Sequence, residues 1–184
     1  MKIEITRVTS WKDVLNAARF TQRKELLDKE PSTKFKKNII KAEHSPLRCL
    51  MFNIDMYDIP YYVSVHFVRH VHTQPFGSTS RPDIDGTMPP RSEQKKNDPV
   101  NLRLFVNAEE IIAISRKRLC NRAEIETKQV WLQVINTLRN IEPELANACV
   151  PNCLYRGFCP EFESCGFSNS ELFNVKHNDY VEKL

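Results

Sequence analysis

The stretch LRCLMFNIDMY, residues 47–57, constrains the fold more than any other part of the chain. Leu50, Phe52, Ile54 and Met56 take every second position, with Met51, Asn53, Asp55 and Tyr57 between them. Successive side chains of a strand point to opposite faces, so this alternation predicts a strand with one dry face and one wet face. A sheet of such strands has to bury its apolar face under something, and the remaining sequence offers helices. Ser10 and Asp13 have the spacing of a helix cap and an acidic first turn, leading into WKDVLNAARFTQRKELL. KFKKNIIKA predicts a second helix, ended by HSP at 44–46, and Val130, Val134, Leu138 and Ile141 mark a long amphipathic one. KIEITRV at 2–8 and LRLFV at 102–106 are further strands, and Asn107 with Glu110 has capping-box spacing before AEEIIAISRKRLC. Strands separated in sequence and covered by helices make the predicted class mixed α/β.

At 184 residues the chain is one domain's worth, long enough to bury a core. Its net charge of +4 favours phosphate-bearing partners but falls short of the basic stripe of a duplex-DNA binder. The aromatic residues are not interleaved with the basic clusters, which disfavours a single-strand nucleic-acid module. MKIEITRVTSW lacks a continuous apolar run and no segment reaches the length of a membrane span. The expectation is a cytoplasmic protein with reduced thiols and no membrane partner.

The chemistry concentrates in HFVRHVHTQPFGSTSRPD, residues 66–83. Asp58 and Pro60 stand in the order of cap and first-turn proline, so YYVSVHFVRHV reads as a helix with His66, Arg69 and His70 on one face. Pro75 and Gly77 then end regular structure, and a polar, proline-rich loop fills 82–99. Arginine and histidine at a helix end can simply complement the helix dipole. That accounts for neither the hydroxyl cluster Ser78, Thr79 and Ser80 nor Arg81 beyond the break. Guanidinium forks grip phosphate and hydroxyls fill its remaining oxygens, so a phosphate site is the better reading.

These residues resemble the motif of flavin-dependent thymidylate synthases: an Arg-His-Arg triplet at a helix end, followed by Ser, Asn-Glu, Ser and a last arginine. Arg69 and His70 match the start, Arg81 the last arginine, and Thr79 replaces the last serine. HSPLR at 44–48 is similar to the family's segment before a strand, and in LFVNAEEIIAISRKRLCNRAEIE the residues Asn107, Arg118, Ala123 and Glu126 fall in register. The resemblance spans roughly residues 40–130. It implies a largely antiparallel sheet covered by helices, and a homotetramer whose active sites draw on several subunits. It further implies transfer of a one-carbon unit from methylene-tetrahydrofolate to C5 of dUMP, with FAD as cofactor and NADPH as reductant. Carried over, Arg69, His70 and His44 would meet the flavin, and His66, Thr79, Ser80, Arg81 and Arg118 the nucleotide. The departures are Val71 for the second arginine, Gln74 for the first serine, Phe76-Gly77 for Asn-Glu and Pro82 for the closing tyrosine. The lost cation and carboxylate would each have made charge-assisted contacts worth roughly 1.5–3 kcal/mol. The phosphate-gripping end is therefore better preserved than the flavin end, and a homologue that binds nucleotides without chemistry is the alternative expectation.

A second cluster, CVPNCLYRGFCPEFESC, holds Cys149, Cys153, Cys159 and Cys165. Four thiolates can close a tetrahedral zinc shell, although the spacing is not that of two CxxC knuckles. Unliganded buried thiols, disulfides and an iron–sulfur cluster are the other readings of the same residues. The organisation expected is an α/β domain over 1–148 and a Cys-rich segment over 149–184. Cys120, alone after Arg118, reads as a packed small side chain.

Overall fold

The computed structural model describes residues 1–184. In chain order its elements are β1 (Lys2–Arg7), α1 (Trp11–Thr21), α2 (Thr33–Lys41), a 3-10 turn (Ser45–Cys49), β2 (Met51–Pro60), α3 (Tyr61–Phe67), β3 (Thr73–Gly77), β4 (Pro99–Asn107), α4 (Ala108–Arg118), α5 (Ile125–Arg139), α6 (Pro143–Ala148), α7 (Asn152–Arg156), a second 3-10 turn (Phe167–Asn169) and α8 (Glu171–Lys183). The four strands form one sheet in the order β1-β2-β4-β3, every neighbour antiparallel. The expected sheet-and-helix class is observed. No helix is long and apolar enough to cross a membrane.

Alternation along β2 sets which face is covered. Phe52, Ile54 and Met56 are fully enclosed, and across the ladder Ile54 faces Leu104 and Ile5, so one apolar row crosses three strands. Helices α3, α4 and α5 close over this face, with Phe67 of α3 against Trp131 of α5 at 5.4 Å between ring centroids. Strict alternation would next bury Asp58. Instead Asp58 takes a left-handed conformation at φ 53°, and the register shifts between Met56 and Ile59. This bulge leaves the carboxylate outside and turns Ile59 into the core. Asp58 is therefore not the cap of α3; the strand runs on to Pro60 and the helix begins directly after it.

Two other expectations are corrected. Helix α3 stops at Phe67, so Arg69 and His70 lie in the turn beyond it. Residues 73–77 then form strand β3 rather than irregular chain. Strand β3 lies at the sheet edge, pairing only with β4, where the missing N–H of Pro75 interrupts no central ladder. The Asn107 side chain accepts from the Glu110 backbone N–H at 2.9 Å, as the capping spacing predicts. The Asp13 carboxylate accepts from both the backbone N–H and the hydroxyl of Ser10 at 2.7 Å.

Glu142, just before α6, is buried at 2% exposure with both oxygens used. It accepts from the Trp11 indole N–H at 2.6 Å and from Arg7 at 2.6 Å. A buried carboxylate costs too much unless it is paired and hydrogen-bonded, and this one joins the end of β1 and the start of α1 to the α5–α6 corner.

Candidate anion-binding site

Arg118 is the last residue of α4, eight positions after Glu110 and hence on the same helical face. Its Nε donates to His70 Nε2 at 3.1 Å and its terminal nitrogen to the His66 backbone carbonyl at 2.6 Å. Since His70 Nε2 accepts, its proton sits on Nδ1, which faces the Glu110 carboxylate at 3.3 Å. A second chain runs beside the first. Glu124, capping α5, accepts from the Thr127 hydroxyl at 3.0 Å, and that hydroxyl lies 2.8 Å from His66 Nδ1. The hydroxyl proton is spent on Glu124, so His66 also carries its proton on Nδ1 and its Nε2 is left as an acceptor. Partial burial pushes the Glu124 carboxyl up, but hydrogen bonds from Glu126 and Thr127 outweigh it and hold the group at about 2.

The two cations here lack counter-charges. Burial, and then the neighbouring charge of Arg69, push the Arg118 guanidinium below its ordinary value. No carboxylate forms an ion pair with either arginine, although ten other ion pairs occur in the chain. A partly desolvated guanidinium beside a second one, both without an acid, is a site with a deficit of negative charge. Along the exposed flank of α3 and the turn that follows it, Tyr61, Val65, Val68 and Val71 present apolar surface to solvent.

The other half of the predicted motif lies elsewhere. Thr79, Ser80 and Arg81 follow β3, while Arg69 and His70 precede it, so the strand's full length separates them. Arg81 is engaged with Asp83, its Nε donating at 3.1 Å, and its backbone N–H bonds Thr79 Oγ1 at 3.2 Å. Ser80 lines a cleft of about 490 Å³ shared with Arg91, Lys95 and Lys96 of the proline-rich loop. His44 lines a third recess, with Phe35, Asn38 and Pro46. The structure thus brings His66, His70 and Arg118 together, with Arg69 within electrostatic reach, and separates Thr79, Ser80, Arg81 and His44 from them within one protomer. Sequence reasoning saw Glu110 only as a capping residue and overlooked Thr127 and Glu124. The i, i+8 relation of Glu110 to Arg118 was the signal available for the first.

The cysteines are also regrouped. Cys149 is enclosed in the main core, donates to the Leu145 carbonyl at 3.3 Å, and burial pushes its thiol up to about 12. It does not join the other three, so the four-thiol set expected from spacing does not form. Cys153, Cys159 and Cys165 line a cleft together with Cys120 instead. All six cysteines are free, and no three metal-ligating side chains stand close enough together to hold an ion.

No protein-family model and no curated protein sequence matches this chain. Solved structures do match its fold. The flavin-dependent thymidylate synthase ThyX from Helicobacter pylori, complexed with FAD and dUMP, superposes with a TM-score of 0.68 at 13% identity, over 82% of this chain and 100% of that one. A second structure of the H. pylori enzyme with FAD and dUMP gives 0.68 at 12% identity, over 82% and 99%. The UMP/dUMP methylase PolB from Streptomyces cacaoi, bound with 5-Br dUMP, gives 0.59 at 13% identity, over 80% and 94%. At these identities the likeness shows a shared fold, that of flavin-dependent thymidylate synthases.

Proposed function

We propose that this chain binds a pyrimidine deoxynucleotide monophosphate, dUMP or a close relative, and methylates it at C5 in the manner of a divergent flavin-dependent thymidylate synthase. The one-carbon donor in this reading is methylene-tetrahydrofolate and NADPH reduces the flavin. One observation carries it: Arg118, partly dry, stands beside Arg69 with no carboxylate for either. An anionic ligand relieves their repulsion and supplies charge-assisted hydrogen bonds worth roughly 1.5–3 kcal/mol each. The neighbours of this fold that hold dUMP and FAD make a nucleotide the favoured anion.

A flavin nucleotide suits the same place. Its phosphates match the free charge of Arg69, and its flat ring system matches the exposed apolar row Tyr61, Val65, Val68 and Val71. Arg69 and His70 would hold it, with His44 as a further contact. When bound and reduced, such a cofactor supplies hydride. The protein's own residues orient the nucleotide. Arg118 would donate to an anionic or carbonyl oxygen of the nucleotide, and His66 Nε2 would accept a hydrogen bond from it. Glu110 and the Glu124–Thr127 pair hold the two imidazoles in single tautomers, so donor and acceptor positions are set before ligand arrives.

Thr79, Ser80 and Arg81 grip phosphate in this reading, but on the pocket of another subunit. Their separation from Arg118 along β3 and the uncovered apolar row on α3 both favour a shared, homotetrameric site. A second reading, nucleotide binding without turnover, draws on Val71 and Phe76, which are 86% and 59% exposed where the resembled motif has polar ligands. Absorbance of the purified chain for flavin, calorimetry with dUMP, and chromatographic detection of dTMP after incubation with dUMP, methylene-tetrahydrofolate, FAD and NADPH test both. Flavin and dTMP support the enzyme. Binding of dUMP without product supports the second reading, and no binding of either ligand rejects both.

A further inference from the structure

The proline-rich loop packs against the first turn of α3 and encloses a cleft of about 490 Å³, with Arg91, Lys95 and Lys96 on its wall. This cleft lies at the opposite end of α3 from Arg69. We propose that it binds an oligophosphate chain, at a site separate within the protomer from the Arg69–Arg118 pocket. Ser80 apart, it uses none of the residues that would hold the nucleotide's phosphate or base, and it stands whether or not dUMP binds there.

The loop's own hydrogen bonds sort its charges. Asp83 accepts from Arg81 Nε at 3.1 Å, Asp85 from the Thr87 hydroxyl at 2.6 Å, and Asp98 from the Lys95 backbone N–H at 2.7 Å. The remaining acid, Glu93, does not line the cleft. Arg91, Lys95 and Lys96 take part in none of the chain's ten ion pairs. The acids are thus spent on the loop while the cations are left to the cleft. A recess lined by one sign of charge concentrates the field and draws in the opposite sign.

The backbone that carries these cations is tied down. Tyr61 N–H donates to the Asp98 carbonyl at 3.0 Å and Tyr62 N–H to the Lys96 carbonyl at 3.1 Å. The Gln94 side-chain amide bridges the two arms of the loop, donating to the Ser80 carbonyl at 2.8 Å and the Pro89 carbonyl at 3.0 Å. A guanidinium fork, two ammonium groups and the Ser80 hydroxyl are the donors that phosphate oxygens take. They stand at separate points around a space far larger than one phosphate group. Linked phosphates can each meet a cation there, whereas a single phosphate leaves some of them unanswered. The half-exposed ring of Tyr61 gives one side of the cleft an apolar surface.

The test is calorimetric titration of the full chain, free of divalent cations, with inorganic tripolyphosphate, orthophosphate, UTP and a tetraglutamate peptide. One tripolyphosphate per chain should bind, about tenfold or more tighter than orthophosphate. UTP binding more tightly than tripolyphosphate identifies a nucleotide as the source, and equal binding identifies the polyphosphate itself; either supports the site. Lys95→Ser/Lys96→Ser should weaken tripolyphosphate by about tenfold, and Lys34→Ser/Lys41→Ser, the same charge loss on α2, by less than about twofold at moderate salt. All four lysines are exposed, so these variants should keep the fold, which circular dichroism checks. Arg118→Gln and saturating dUMP should both leave tripolyphosphate binding intact, so failure of the nucleotide reading would not touch this one. Equal losses in the two double variants, tetraglutamate or orthophosphate binding as tightly, displacement by dUMP, or no binding of tripolyphosphate would each overturn the assignment.

Discussion

Replacing Arg118 by glutamine separates a binding residue from a structural one, because the two roles predict opposite signatures. In the free protein Arg118 donates two hydrogen bonds, to His70 Nε2 and the His66 carbonyl, each with a net value of about 1 kcal/mol. Glutamine retains one amide donor. Its neutrality also removes a charge that burial and Arg69 both oppose, which offsets the lost bond. The net change in unfolding free energy should therefore stay below about 1 kcal/mol. In the complex, Arg118→Gln forfeits a charge-assisted contact of about 2 kcal/mol, a roughly thirtyfold loss of affinity. The assay is calorimetric titration with dUMP beside urea denaturation, both at low and moderate salt. The salt dependence of binding should weaken in the variant as one cation leaves the site. A variant that loses more than about 3 kcal/mol of stability while binding dUMP as well as wild type would refute the reasoning, because Arg118 would then be holding the fold and not a ligand.

Glu142→Leu should cost about 3 kcal/mol in chemical denaturation, since it strands the Trp11 indole N–H and unpairs Arg7; a change under ~1 kcal/mol would show that the α5–α6 corner does not depend on that carboxylate. In the folded chain at pH 8, Cys149 should resist a thiol-exchange reagent while exposed Cys165 reacts at once. The fold favours the neutral Cys149 thiol, so that stabilisation is complete below the unfolded value near 9 and is lost as pH rises toward about 12; Cys149→Ala should flatten the alkaline limb of stability against pH. If phosphate and base contacts come from different subunits, Arg81→Ala and Arg118→Gln preparations, each weak in dUMP binding, should recover part of it when unfolded and refolded together. Light scattering should give four protomer masses, and a monomer with no recovery would remove the shared-site reading.

The resemblance to a known motif pointed correctly to the fold, but the motif itself was distributed differently from its appearance in sequence. In the sequence, Arg69, His70 and Arg118 are linked only through the resemblance; alternation and caps do not place the turn after α3 beside the end of α4. The grouping of Arg81 with Arg69 in one phosphate site does not hold within a protomer, because strand β3 lies between them. The sequence pattern hid that strand behind Pro75, a residue that disfavours central strands and is tolerated at an edge. Glu110 was legible as a capping residue, but its second role toward His70, and the part Glu124 plays toward Thr127, depend on which helices meet.

Local chemistry in the chain was enough to determine the period of β2, the caps of α1 and α4, the helical cover and the concentration of polar and cationic donors around residues 66–81. These follow from contacts within a few residues, where side-chain periodicity and capping act. Only the tertiary structure decided that Asp58 is expelled by a bulge, that Cys120 and not Cys149 faces the other thiols, and that Arg118 has no acid to answer it. Each of those depends on which distant surfaces are pressed together, and burial, which sets the cost of a charge or the protonation of a thiol, is a property of that packing rather than of any segment.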